Sequence, residues 1–241
     1  KYYMLYNPSG LYGPFVMPGM IIIILQQSML IGIGMINGAS QERKMKGIIP
    51  GIHPKEGTAF MVFGKSLAYF MVMLFTSTFT MVWVHNWFAF PSKCSYLDVL
   101  PLIIPFSFST IFLGLTISFL FHKLEQSIMF LVFLSPIVLF MSGLSWPSES
   151  MPVAMQRLAM LIPGSFMVPA YLRLRTMGVG LVNVSYEIWA LYIQMVFYFV
   201  LSVLFYKIMN IEQSDGESVN QKMPLRKKTL KKINKIIDPG N

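Results

Sequence analysis

The chain has 241 residues, of which 55% are hydrophobic and 12% charged, with a formal net charge of +9. An average soluble domain is about 25% charged, so this composition excludes an ordinary soluble enzyme and favours a membrane protein. The single cysteine, Cys94, excludes an intramolecular disulfide and a cysteine-based metal site.

Five apolar runs are long enough to cross a bilayer, which takes about 20 helical residues. They are predicted as spans at residues 15–38, 66–88, 99–121, 127–144 and 186–206. The fold class predicted from these runs is all-α, as a polytopic membrane protein. Gly34 and Gly38 in the first run form a GxxxG pair, which permits close helix packing but often occurs by chance.

Prolines interrupt the chain between the fourth and fifth runs. Each proline removes a backbone donor and restricts the residue before it, so one straight helix is implausible here. Residues 145–164 are therefore predicted to form a proline-broken, re-entrant hairpin. A proline-rich loop explains the pattern equally well, and non-helical backbone at membrane depth must be buried in protein or line a cavity.

Basic residues predict the orientation. Fourteen lysines and arginines lie in segment 39–65, in turn 122–125 and beyond residue 206, against five elsewhere. By the positive-inside rule, these three regions are cytoplasmic, including the C-terminus, and the hairpin is on the outer side. The N-terminus is then outside without a targeting segment, so we expect at least one further span upstream.

The basic tail, 209–241, allows two interpretations. A nucleic-acid patch is one, but cations just inside a membrane are attracted to anionic lipid at about 1 kcal/mol each. Its apolar residues also recur at near-helical spacing, which predicts an amphipathic surface helix. Membrane lipid is therefore the predicted partner of the tail, and no nucleic acid is.

The residue patterns predict no catalytic, cofactor-binding or metal site. The segment 59–66 (AFMVFGKS) nearly matches a phosphate-binding loop, but it is bulky and apolar and leads into a span. The three histidines show no ligand spacing. The middles of the spans hold almost no ionisable residues, which argues against a carrier driven by protons or ions.

Three stretches resemble a known family. Residues 6–28 (YNPSGLYGPFVMPGMIIIILQQS) are similar to its YNP…PG entry into a span. Glu42-Arg43, Gly47 and the following Gly64-Lys65 are similar to its ERE.G…GK pattern. Residues 142–152 (SGLSWPSESMP), with IPGSFMVPAYLRL behind them, are similar to its SGFxFPxxxMP…P…R pattern. The chain thus resembles the membrane (permease) subunit of bacterial ABC-2 type exporters, in the branch with a large extracytoplasmic domain.

The resemblance implies a permease subunit without enzyme activity, in the bacterial cytoplasmic (inner) membrane. It would pair with a second copy or a paralogous permease, and each would dock on a cytoplasmic ABC ATPase subunit. Residues 1–208 would be the transmembrane domain, and the upstream part would hold the first span and the extracytoplasmic domain.

The resemblance also places two functional regions. The coupling contact with the ATPase would lie in loop 39–65, at Glu42, Arg43 and Gly47. Two extra prolines in this loop depart from the family pattern, so the position of the coupling helix stays open. The hairpin would close the outer end of the path, and its matched residues are Ser142, Gly143, Pro147, Glu149, Met151, Pro152 and Pro163.

The alternative function is a non-transporting membrane scaffold or a channel-like component without ATP coupling. It differs in predicting no associated ATPase. An intramembrane enzyme is a weaker interpretation, because the spans lack the paired acids, histidines or cysteines that such chemistry requires.

Overall fold

The computed structural model describes residues 12–45, 57–88, 92–121, 123–144 and 150–208. These ranges contain helices and connecting turns but no strand, so the all-α prediction is confirmed. The α-helices are α1 Tyr12–Met45, α2 Thr58–Thr78, α3 His85–Trp87, α4 Tyr96–Ser118, α5 Leu124–Met141, α6 Val153–Ala159, α7 Pro163–Leu172 and α8, residues 185–208.

Within the described ranges, five helical stretches are long and apolar enough to cross a membrane, as the hydropathy of the sequence predicts. A π-helical segment, Phe79–Val84, extends α2, and a 3₁₀ turn, Leu181–Val184, precedes α8. The five stretches are Val16–Arg43, Thr58–Trp83, Tyr96–Ser118, Leu124–Met141 and Leu181–Ile208.

The predicted loop 39–65 is shorter in the structure. The helix α1 continues to Met45, because the stretch after the apolar run has no proline to stop it. The helix α2 begins at Thr58, directly after Gly57, whose φ of 99° is in the left-handed region that suits glycine. What remains between the helices is 46–57, of which Gly57 alone belongs to the described residues.

The core lies along α1 and α4. In their most apolar windows 56% and 67% of residues are buried, against 17% for α2 and α5 and 22% for the last span. The helix α1 packs against α2, α4, α5 and α7. Large side chains from both central helices are fully buried, among them Ile22, Leu30, Phe106 and Ile111. The outer spans therefore present most of their apolar surface to the membrane or to a partner.

The GxxxG pair of the first run is a true helix contact. A Cβ at Gly34 would come within 2.5 Å of Leu131 Cδ1, and one at Gly38 within 3.1 Å of Leu124 Cα. Both neighbours belong to α5, so the absence of a side chain at these positions lets α1 and α5 approach closely.

The connections meet at two opposite ends of the bundle. At the end we call the basic end, Asn37 Nδ2 donates to Ser118 Oγ at 2.8 Å, and the Lys65 ammonium lies 5.3 Å from the centre of the Tyr206 ring. At the opposite end, the hairpin end, the Lys93 amide donates to the carbonyl of Arg175 at 3.0 Å.

The proline-rich segment forms two helical arms at the hairpin end. The arms Val153–Ala159 and Pro163–Met177 meet at an angle of 89°. Pro163 occupies the first turn of α7, where its missing N–H costs no hydrogen bond. The bend therefore falls at 160–162, within the predicted hairpin 145–164, of which 145–149 lie outside the described residues.

Candidate functional site

A cavity of about 820 Å³ lies at the hairpin end, and we call it the hairpin cavity. Its walls come from the end of α5, from α6 and α7, and from the start of α8. Most of the lining is apolar and includes three methionines: Met141, Met151 and Met160. A cavity of this size is within the range that holds a small organic ligand, about 300–1,000 Å³.

The turn after α5 forms one wall of the cavity. The Ser142 hydroxyl donates to the Leu139 carbonyl at 2.7 Å and accepts from the Leu144 amide at 3.4 Å. Gly143 follows with a φ of 77°, a left-handed conformation that commonly ends helices and favours glycine. Ser142 and Gly143 were both predicted from the family pattern. They shape the cavity by fixing the backbone of the turn that forms this wall.

Two further hydrogen bonds fix the other walls. The Ser165 hydroxyl of α7 donates to the Met141 carbonyl of α5 at 3.0 Å. The Gln156 side-chain amide of α6 donates to the Met151 carbonyl at 3.0 Å. These donors are used within the protein, so they position the walls.

The cavity contains one charged pair. Arg173 Nη2 donates to Glu187 Oε1, and Arg173 Nε donates to the Pro169 carbonyl at 3.3 Å. The side chains of Arg173 and Glu187 are 28% and 11% exposed. The second carboxylate oxygen, Glu187 Oε2, is buried without a hydrogen-bond partner. A buried charge is stable only when paired and hydrogen-bonded, so this carboxylate retains capacity for one more donor.

A neighbouring arginine has a structural role. Arg175 is 2% exposed, and its Nη1 donates to the Tyr171 hydroxyl at 2.9 Å. Its own carbonyl accepts the Lys93 amide. Arg175 therefore ties the loop before α4 to the end of the arm Pro163–Met177.

The predicted coupling residues lie at the basic end, far from the cavity. Glu42 is half-buried and Arg43 is exposed, both near the end of α1, while Gly47 lies outside the described residues. On the same helix, a Cβ at Gly19 would meet Leu144, which lines the hairpin cavity. At about 1.5 Å per residue, the two regions are roughly 35 Å apart along α1.

The predicted hairpin residues separate into three groups. Ser142, Gly143 and Met151 line the cavity. Pro152 precedes α6 and Pro163 begins α7. Pro147 and Glu149 lie outside the described residues.

No role was assigned to Arg173 or Glu187 from the sequence, although Arg173 matches the arginine of the family pattern. Glu187 is conspicuous as a lone carboxylate at the start of the fifth apolar run, which was a usable signal. Nothing in the sequence pairs it with an arginine 14 positions earlier, because that contact depends on the bend between α6 and α7.

The described ranges offer no obvious bond-making chemistry. No group of three His, Cys, Asp or Glu residues within them could hold a metal ion. The segment 59–66, which nearly matches a phosphate-binding loop, lies inside the helix α2. A phosphate loop needs free backbone amides between a strand and a helix, so this segment does not form one.

Comparison with known proteins gives one match. A family model described as ABC-2 family transporter protein matches residues 1–204. The matched region contains Glu42, Arg43, the hairpin cavity and nearly all of the five apolar helices. No curated protein and no solved structure matches the chain.

Proposed function

Because the chain belongs to the ABC-2 family of transporter proteins and is the membrane permease of an ABC-type transporter, we propose that it exports a substrate from the cytoplasm. The energy would come from a separate cytoplasmic ATPase subunit. In this proposal the protein is in the bacterial cytoplasmic membrane, with the basic end and the C-terminus inside and the hairpin end outside.

The observation that carries the proposal is the position of the charged residues. In the five apolar helices, Asp, Glu, Lys and Arg occur only within about two turns of a helix end: Glu42, Arg43, Lys65, Asp98, Glu125, Glu187 and Lys207. Carriers driven by a proton or ion gradient usually keep ionisable groups within the membrane. An exporter without them is expected to receive its energy from a partner.

The helix α1 is suited to transmit that energy. At the basic end, α1 bears Glu42 and Arg43. We propose that these two residues and Gly47 contact the ATPase. The other end of α1 packs beside Leu144 at the hairpin cavity. Because packed helices shift between discrete arrangements instead of deforming continuously, a displacement at Glu42 would reach the hairpin end. There the bent arms would close the outer end of the path.

The poorly buried spans support pairing with a second permease. In α2 and α5, 17% of the most apolar window is buried within one chain. We propose that a second copy or a paralogous permease covers part of this surface and that lipid covers the rest. The basic tail, 209–241, would contact anionic lipid on the cytoplasmic side.

The test is co-expression of the full-length permease with its candidate ABC ATPase. The double substitution Glu42→Ala/Arg43→Ala is expected to reduce ATPase co-purification and ATP-dependent transport into inside-out vesicles. Arg157→Ala is the control, since Arg157 is an exposed cation at the hairpin end. Unchanged complex formation and transport in the double variant would remove the coupling assignment.

The same preparation distinguishes the alternative function from the proposed one. A scaffold or channel-like component predicts that no ATPase co-purifies with the wild-type chain. It also predicts that ATP leaves transport unchanged.

A further inference from the structure

We propose that Gln26 of α1 is a positioning residue that holds the bend of the hairpin in the second arrangement of the transport cycle, by accepting a hydrogen bond from the Gly164 amide of α7. The inference rests on the proposed function, because it concerns how a displacement of α1 reaches the hairpin. It starts from a buried glutamine that has no partner and from the glycine against which it lies.

Gln26 is unfavourable in the arrangement of this structure. Its side chain is 0% exposed, which leaves no space for a water molecule beside it, and within the described residues neither its oxygen nor its nitrogen has a hydrogen-bond partner. Gln26 lies ten positions beyond Val16, where the apolar helix begins. That distance is about 15 Å into a hydrocarbon core of about 30 Å. Unmade hydrogen bonds at such a depth are costly, so we expect another arrangement in which Gln26 is paired.

Gly164 supplies the donor that Gln26 lacks. A Cβ at Gly164 would come within 2.4 Å of Gln26 Oε1, so this oxygen lies against the Gly164 Cα, one covalent bond from the amide nitrogen. Gly164 is the second residue of α7, where a helix leaves its N–H groups without an intrahelical acceptor. The next amide, that of Ser165, donates to the Ile162 carbonyl at 3.0 Å, whereas the Gly164 amide has no carbonyl acceptor in the described part of the chain. An unpaired donor and an unpaired acceptor are thus neighbours.

The bend is at present hydrogen-bonded to the last span. Gln194 and Tyr198 of α8 donate to the Met160 and Leu161 carbonyls just before α7. On the side of α1, the contact between Gln26 and the start of α7 is packing without a hydrogen bond. Because packed helices move between discrete arrangements, a shift of α1 that brings Gln26 Oε1 to the Gly164 amide defines a second docked position. In that position α1 holds the bend directly.

A third unpaired group lies at the same level of the bundle. Asn37 of α1 bonds Ser118 of α4 at an offset of 81 positions. Both helices run from the hairpin end to the basic end, so the same offset places Ser107 at the level of Gln26. The Ser107 hydroxyl is 0% exposed and has no partner among the described residues. In the second arrangement Gln26 Nε2 donates to Ser107 Oγ while Gln26 Oε1 accepts from Gly164, which pairs the unpaired groups of three helices together.

The test uses the full-length permease in nanodiscs, alone and with its candidate ABC ATPase. Gln26→Met removes both polar atoms and keeps the length of the side chain. We expect the melting temperature of the permease alone to rise by about 2–4 °C, the shift that relief of one unmade hydrogen bond gives in a chain of this size. Permease-dependent ATP hydrolysis should instead fall about three- to fifteenfold, the factor that one hydrogen bond between membrane helices accounts for. A purely structural residue would not shift stability and activity in opposite directions.

Gln27→Met is the matched control. Gln27 is also buried and unpaired within the described residues, but it lies about 100° further round α1. This variant should raise the melting temperature and leave hydrolysis unchanged.

A second readout is amide hydrogen exchange in peptides covering 163–168, measured with the ATPase trapped by vanadate and without nucleotide. Trapping should slow exchange in the wild type and in Gln27→Met, because the Gly164 amide is then bonded. It should have no such effect in Gln26→Met.

A melting temperature that stays constant or falls in Gln26→Met would overturn the proposal, since Gln26 would then be paired in the arrangement of this structure. So would hydrolysis and exchange equal to those of Gln27→Met. Hydrolysis that is the same with and without the wild-type permease would instead contradict the proposed function, on which the inference depends, so the two failures are distinguishable.

Discussion

Asn37 and Ser118, 81 positions apart, form a buried hydrogen bond of 2.8 Å between the two most buried helices. The Ser118 hydroxyl also donates to the Leu115 carbonyl of its own helix at 2.7 Å. The Ser118 hydroxyl therefore accepts a hydrogen bond from α1 and donates one to a carbonyl of α4. This contact fixes the relative position of the central helices near the basic end.

Removing this contact should weaken the core modestly. We expect Ser118→Ala to lower the free energy of unfolding by about 0.6 kcal/mol, the average for side-chain hydrogen bonds between membrane helices, and by no more than about 1.7 kcal/mol, their maximum. Ser202→Ala is a matched control, because the Ser202 hydroxyl is equally buried but donates only within its own helix, to Phe199. Steric-trap unfolding in bicelles measures both, and equal losses would show that the interhelical bond adds nothing.

The close packing of α1 on α5 predicts a second pair of variants. Gly34→Val should destabilise the protein by about 1–3 kcal/mol through overpacking, because the Leu131 side chain in its way is buried and would have to change rotamer inside the packed contact. Gly32→Val should be nearly neutral, since no atom lies within 4 Å of a Cβ at Gly32. Melting temperatures in detergent compare the two. Equal melting temperatures would contradict the close contact.

Cys94 tests the proposed orientation. Burial raises the pKa of the Cys94 thiol, and the Asp98 charge adds to this, while the Ser92 hydrogen bond opposes it. The reactive thiolate is therefore scarce at neutral pH. We expect slow labelling of intact cells by an impermeant maleimide, accelerating as the pH rises above the ordinary thiol range.

The control for this prediction places a thiol at the other end. Lys207→Cys in a Cys94→Ala background should be labelled only after the cells are permeabilised. If Cys94 instead requires permeabilisation, the hairpin end faces the cytoplasm and the orientation is inverted.

The bend between α6 and α7 predicts a local effect on dynamics. The Tyr198 hydroxyl donates to the Leu161 carbonyl, and Gln194 Nε2 donates to the Met160 carbonyl at 2.6 Å. Tyr198→Phe should leave the first carbonyl unpaired and destabilise the bend by about 1 kcal/mol. Hydrogen exchange should then increase in peptides covering 160–165. Tyr192→Phe, at an exposed position of the same helix, should leave exchange unchanged.

The sequence predicts the spans well because crossing a bilayer depends on the length of an apolar run, which can be counted directly in the sequence. It predicts helix ends less well: α1 passes residue 38 into a polar stretch, because the backbone stays helical until something breaks it. Pro163 shows the opposite case. The prolines predict that no straight helix runs through this segment, and the 89° bend falls directly before Pro163, which begins α7.

The site was harder to predict from the sequence than the fold. Ser142, Gly143 and Met151 were found through a family pattern, and they line the cavity. The contact between Arg173 and Glu187 depends on an 89° bend and on the docking of α8 beside it. Hydropathy does not show which faces of the helices meet, and the GxxxG spacing marked a packing face of α1 without identifying α5 as its partner.

Gln194 and Tyr198 stand one helical turn apart and hold two consecutive carbonyls, those of Met160 and Leu161. The last span therefore cannot slide past the bend by a small distance without breaking both bonds. A displacement of one turn, about 5.4 Å along the helix axis, would bring Ala190 and Gln194, or Tyr198 and Ser202, to these carbonyls, so neither direction restores the same two bonds. When the last span moves relative to the bend, the two bonds should therefore be kept together or lost together.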